Sequence, residues 1–266
     1  MKRKKSDSNV SENELRDFLE EKSELYNSIS FIETDPIQIP HRFSKLQDIE
    51  ISGFLASTIA WGNRKSIIRN AGMLMEWMDH APHDFILNAG KKEKNFFLKF
   101  THRTFNGEDC RFFISALQHI YRNHVSMEDV FLGKESSDEN SDLKEFIVRF
   151  RNEFFSITHP LRSQKHVSNP EKGSASKRLC MFLRWMVRKD KKGVDFGIWN
   201  NIPVSSLCLP LDVHTGNVGR KLGLLKRNAN DWQSVNEITS ALRKFDPNDP
   251  VKYDFALFGL GAFEDF

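Results

Sequence analysis

The chain is short of cysteine, of glycine-rich loops and of long apolar runs, and each shortage excludes something. Three cysteines in 266 residues, Cys110, Cys180 and Cys208, form neither a CxxC pair nor a disulfide framework, so reduced thiols in a core are expected. The same count excludes a four-cysteine iron–sulfur cluster made by this chain alone. No stretch approaches the roughly 20 apolar residues that span a bilayer, which argues against a membrane role. The start MKRKKSDSNV is basic, yet no apolar segment follows it, so a secretory signal is not expected and a cytoplasmic protein is. No glycine-rich nucleotide loop occurs, and strand-like alternation is hard to find. His80 and His83 would share a helical face if a helix covers them; a solvated pair is the expected outcome, and neither a metal nor a cofactor is called for.

What is present is helical periodicity in a chain rich in phenylalanine. Residues 1–10 read as a disordered basic tail and 11–266 as one two-lobed helical domain. Residues 12–27 form a charged helix with Leu15, Phe18 or Leu19, and Leu25 or Tyr26 at helical intervals. Pro36 and Pro40 make ETDPIQIPHRFSK an extended connection. Asp48 is placed as the cap of a helix whose Ile51, Phe54, Leu55, Thr58 and Ile59 lie on one face. After a turn at Gly62 and Asn63, a helix from Ser66 points Ile67, Ala71, Leu74 and Met75 inward. GKESSDENSDLKE, near 133–145, is an acidic loop, and helix resumes with Phe146, Ile147, Phe150 and Phe154. KRLCMFLRWMVRK carries a buried stripe of Leu179, Phe182, Leu183, Met186 and Val187; the stretch 190–211 is irregular. Helices then start near Val213, Trp232 and Pro250. The fold class is all-α.

Net charge is only +3, but it is unevenly placed. Between 161 and 192 ten Lys or Arg face only Glu171 and Asp190, a local +8 in a chain that is otherwise −5. Clustered basicity suits a phosphate backbone, with Lys172, Arg178, Arg184, Arg188 and Lys189 available to displace counterions. A solvated helix face with a basic loop is the plainer alternative.

Two features stand out for chemistry. GSASK, from Gly173 through Ser174 to Lys177, is a small-residue turn opening into a helix, where free amides suit a phosphate. Lys177 falls in the first helical turn, a place where the dipole disfavours an ammonium and favours a nucleophilic amine, although most such lysines are simply solvated. In LCLPLDVHTGNVGRKLGLL, Asp212 follows Pro210 and precedes a helix. Its plain role is an N-cap; a cap is also rigidly held and suited to face a developing positive charge, and the two roles are compatible.

GSASK followed by LPLDVHTGNVGRKLGL resembles the helix-hairpin-helix DNA glycosylases, whose hairpin reads like G-V-G-R-K and whose next helix opens with V-D-T-H. On that pattern Gly173 matches the first hairpin glycine, Lys177 the catalytic lysine of the bifunctional members and Asp212 the aspartate they share. DPVKYDFALFGLG is similar to the end of the archaeal 8-oxoguanine glycosylase branch, placing Asp254 and Phe258 in the base pocket. FLASTIAWGNRKSIIRNAGMLM is similar to the helix pair whose loop enters DNA beside the lesion, which makes Asn63 and Arg64, and less so Trp61, the residues that fill or grip the gap; Trp61 is otherwise a core residue joining two helices. The blocks KRLCMFLRWMVR and LPLDVH also resemble an uncharacterised bacterial family. There are departures: Ala175 replaces the second hairpin glycine, and its methyl would crowd a phosphate if that residue took positive φ. The segment 189–209 lengthens the lysine-to-aspartate interval, and the cluster cysteines of some members are missing.

The resemblance implies excision of a damaged base, an oxidised purine in the archaeal branch, from double-stranded DNA after base flipping, with Lys177 as nucleophile and Asp212 opposing charge at the sugar. Two other classes fit the residues: a non-catalytic helical DNA- or RNA-binding protein on the same scaffold, and a protein-interaction domain whose basic face is incidental.

Overall fold

The computed structural model describes residues 11–133, 142–264 and 266; the expected tail, 1–10, and positions 134–141 of the expected acidic loop lie outside them. Among the described residues the secondary structure is helical apart from one hairpin of two-residue strands. Helix α1 (Glu12–Tyr26) opens on a reciprocal cap: Ser11 Oγ accepts from Glu14 N at 3.2 Å and the Glu14 carboxylate accepts from Ser11 N at 2.8 Å. Leu19 is buried and Leu25 exposed.

After α2 (Ile29–Thr34) the two-proline segment is not extended. It winds into two 3₁₀ turns, Pro36–Gln38 and Pro40–Arg42, with Ile37 and Ile39 buried. Each proline stands at the first position of its turn, where its missing N–H is not needed, and the Asp35 carboxylate accepts from Ile37 N at 3.0 Å.

Helix α3 (Leu46–Thr58) starts two residues before Asp48, so Asp48 does not cap it; its Oδ1 instead accepts from His83 N at 2.8 Å. Nor is α3 one-faced: every residue from Ile49 to Thr58 is buried. It is the central helix, and its Glu50 carboxylate is satisfied inside by Tyr121 Oη at 2.7 Å, Trp199 Nε1 at 2.6 Å, Met127 N at 3.2 Å and Ser126 Oγ. Helix α4 (Arg64–Glu76) begins earlier than Ser66 because Asn63 caps it, accepting from Ser66 N at 3.1 Å. His80 lies in the following turn, outside α5 (Pro82–Asn88), so it shares no helix with His83, which meets Lys45 Nζ at 2.9 Å.

Then come α6 (Lys91–Phe96), the hairpin β1 (Thr101–His102) and β2 (Phe105–Asn106), α7 (Gly107–Asn123) and α8 (Met127–Leu132). Helix α9 (Leu143–Phe154) begins inside the expected loop, with Asp142 accepting from Glu145 N at 3.0 Å. These helices close a phenylalanine core in which Phe54 meets Phe150 at 5.3 Å and Phe113 meets Phe154 at 4.8 Å between centroids.

Helix α10 (Lys177–Val187) crosses α3 at Gly53, where a side chain would press on Met186 and Phe182. The irregular stretch 190–211 is no surface loop: Val194, Trp199, Ile202, Leu207 and Leu209 are buried. Helices α11 (Val213–Lys221), α12 (Trp232–Phe245) and α13 (Tyr253–Phe263) complete the chain, and α13 packs on both α1 and α11. All three cysteines are buried and unpaired. No described helix is long and apolar enough to cross a membrane.

Candidate active site

The turn ahead of α10 is built from two left-handed residues, Gly173 at φ +84° and Ser176 at φ +47°. Ala175 is not one of them, so its methyl costs the turn no strain. Lys177 is the first residue of α10 and Asp212 the N-cap of α11. One loop ties these two starts together. Trp232 N donates to Gly173 O at 3.0 Å, Ser174 bridges Asp231, and Asn230 Nδ2 donates to Asp212 O at 3.1 Å. As a result Lys177 Nζ stands 3.5 Å from Asp212 Oδ2, with 31% and 24% of the two side chains exposed. The other oxygen, Oδ1, accepts from Thr215 N at 3.0 Å. Cap and ion pair thus use different oxygens of one carboxylate.

The pair opens on a cleft of about 730 Å³. Helix α10 lines one side with Lys177, Met181, Arg184 and Trp185, and α13 lines another with Asp254, Phe255 and Phe258. Burial pushes the Asp254 carboxyl up to about 6; the Arg184 guanidinium, bonded to its Oδ2, pulls the other way, and Asp212 adds to the rise. Phe258 is half-buried, edge-on to Phe31 at 5.9 Å, with the Arg64 guanidinium 5.1 Å from its ring centroid. Arg64 therefore belongs to the cleft, whereas Asn63 does not line it and is occupied as a cap. Trp61 is half-buried, lines the cleft, and lies between the Arg178 guanidinium at 4.8 Å and His166 at 5.9 Å, so it joins the core and faces the opening at once.

The basic segment is less available than its charge suggests. Arg184 and Arg188 are each only 3% exposed: Arg184 bonds Asp195 at 3.2 Å as well as Asp254, and Arg188 bonds Asp190 at 2.6 Å, Asp195 at 3.2 Å and Asp249 at 2.9 Å. Both guanidiniums are committed to these acids. Their positions on α10 turn inward onto acids of the 190–195 stretch and of the α12–α13 connection, which a count of local charge does not see. Arg178 donates to Thr58 O, and loss of water pulls its pKa down to about 10. Lys172, Gly173 and Lys189 are exposed but do not line the cleft, and Lys189 sits beyond the end of α10 opposite Lys177; Ser174 and the exposed Lys165 do line it.

Several cleft residues were not expected from sequence. Asp35 is buried there, its carboxyl pushed up by burial, and Asn230 belongs to the tying loop. Trp185 lies eight residues after Lys177, and that helical spacing was the available signal. No group of three or more His, Cys, Asp or Glu side chains suited to hold a metal ion occurs among the described residues.

A helical protein with a lysine–aspartate pair at the mouth of a cleft is what the fold and site define. The chain belongs to the DUF2400 family, described as proteins of unknown function, whose model matches residues 35–263. That span includes every cleft residue named here except Phe31. Neither a curated protein nor a solved structure matches the chain.

Proposed function

We propose that this protein is a DNA glycosylase of the helix-hairpin-helix type with abasic-site lyase chemistry, acting on duplex DNA that carries a damaged base, an oxidised purine on the resemblance of its C-terminal motif. The observation that carries the reading is the 3.5 Å approach of Lys177 Nζ to Asp212 Oδ2 at the mouth of the cleft. A base cannot react inside the stack, so it must be flipped into such a recess. Lys177, having passed a proton to water, attacks the anomeric carbon; the new C–N bond forms as the glycosidic bond breaks, and that bond's electron pair leaves with the base, which takes up a proton from water. Transfer of a second Nζ proton to the ring oxygen as the C1′–O4′ bond opens gives a Schiff base, which permits β-elimination at the 3′ side. The Asp212 carboxylate opposes the positive charge on the sugar. Asp254 and Phe258 line the recess that takes the base, Arg64 and Trp61 flank it, and Lys165 and Lys172 replace the buried Arg184 and Arg188 as phosphate partners.

Borohydride trapping on duplexes carrying an abasic site tests this. Wild type should form a covalent complex, and Lys177→Gln should form none while binding DNA within about tenfold, since only one of several charges is lost. Equal trapping by Lys177→Gln would make another amine the nucleophile. Tight duplex binding by a wild type that neither traps nor releases any base would favour the non-catalytic binding protein.

A further inference from the structure

We infer that the indole N–H of Trp185 recognises the extruded base, which must therefore carry a hydrogen-bond acceptor on the edge remote from the sugar. The inference rests on the glycosylase reading and adds a specificity-determining residue to it.

Trp185 is fully buried, lines the cleft, and its Nε1 has no hydrogen-bond partner. Two other buried side-chain atoms among the described residues share that condition, Asn27 Oδ1 and Trp232 Nε1, and neither residue lines the cleft. An unpaired buried N–H costs about 1–3 kcal/mol, a cost that phenylalanine at the same place would avoid. Its neighbours on α10 are committed: Arg184 is held by Asp195 and Asp254.

The position fits as well as the chemistry. Lys177, Met181 and Trp185 follow one another at four-residue steps along the cleft wall, so a rise of about 1.5 Å per residue sets Trp185 about 12 Å along the helix axis from Lys177. With the sugar at Lys177, the base extends toward Trp185. The other walls contribute the carboxyl groups of Asp35 and Asp254. A donor on one wall and carboxylates on the others match a base edge in which a carbonyl oxygen sits next to a ring N–H, the lactam edge of keto purines and pyrimidines.

The test uses the full chain carrying Lys177→Gln to prevent turnover, with its five tryptophans labelled at the indole nitrogen and Trp185 assigned by loss of its signal in Trp185→Phe. Duplexes containing 8-oxoguanine, hypoxanthine or uracil are compared with one containing a tetrahydrofuran abasic analogue. At least one lactam base should move the Trp185 N–H resonance downfield and slow its exchange with water, and the base-free duplex should do neither. In the otherwise wild-type protein, Trp185→Phe should slow release of that base about 5- to 150-fold, the span that corresponds to one buried group left unpaired. Duplexes that bind and trap while Trp185 stays silent to all three bases, or release unaltered in Trp185→Phe, would overturn this inference and leave the glycosylase reading standing. Failure of every duplex to bind would remove both.

Discussion

Asp212 gives the sharpest test because its two oxygens do different work. Oδ1 accepts from Thr215 N at 3.0 Å as the cap of α11, and Oδ2 faces Lys177 Nζ at 3.5 Å. Asp212→Asn keeps an oxygen for the cap, and Asn caps about as well as Asp, so only the ion pair is lost; with both side chains partly exposed that is worth about 0.2–1 kcal/mol. Asp212→Ala loses the cap as well, a further cost of about 1 kcal/mol. In a domain of this size 1 kcal/mol moves the melting temperature by about 2–4 °C, so the asparagine variant should melt at most about 4 °C low and the alanine variant about 2–4 °C below that. Base release should fall about 10²–10³-fold in both, because neither side chain can offset charge at the sugar. Thermal unfolding by circular dichroism and single-turnover base release measure the two effects separately. Equal melting of the two variants would refute the cap geometry. Near wild-type release by Asp212→Asn in a folded protein would refute the role of Oδ2.

Three further outcomes follow from packing and charge. Arg184→Met leaves Asp254 buried without its cation and Asp195 with Arg188 alone, and should destabilise by about 3–5 kcal/mol in urea unfolding, without changing the salt dependence of DNA affinity; a shallower salt slope with intact stability would mean that this guanidinium does reach phosphate. Gly259→Ala would set a methyl 2.1 Å from the Tyr26 ring, so that ring or its helix must shift, at a cost of about 1–3 kcal/mol in the same assay; unchanged stability would show that the ring does not pack on Gly259. His166 has its pKa pulled down from 6.5 to about 4 by burial, with Arg178 and Lys165 adding to the fall and Asp109 opposing it. The unfolded chain therefore binds this proton first as pH drops, and His166 contributes stability present above about pH 6.5 that is lost as pH falls through about 4; His166→Gln should flatten that part of the stability profile, and an unaltered slope would assign it to other groups.

The helices at each end of the chain, the Asp212 cap, the start of α10 at Lys177 and the burial of the cysteines were legible because each depends on a few adjacent residues: a capping side chain, a helical apolar repeat, a small-residue turn. The same local reasoning misjudged Pro36 and Pro40, because a proline is equally at home in an extended segment and at the head of a 3₁₀ turn, and burial of Ile37 and Ile39 decided between them. It placed Asp48 as a cap, whereas the amide that Asp48 satisfies belongs to His83, 35 residues away.

By itself the sequence determined the helical class and which two residues, Lys177 and Asp212, were worth bringing together. Only the tertiary structure decided that they meet, because their approach depends on the loop through Asn230 and Asp231 holding both helix starts at once. Only it decided which positive charges are free. Arg184 and Lys165 count equally in a sum over the chain, yet one is neutralised by acids up to 70 residues away and the other stands exposed at the cleft. Electrostatics act through space, and separation along the chain says little about distance in the fold.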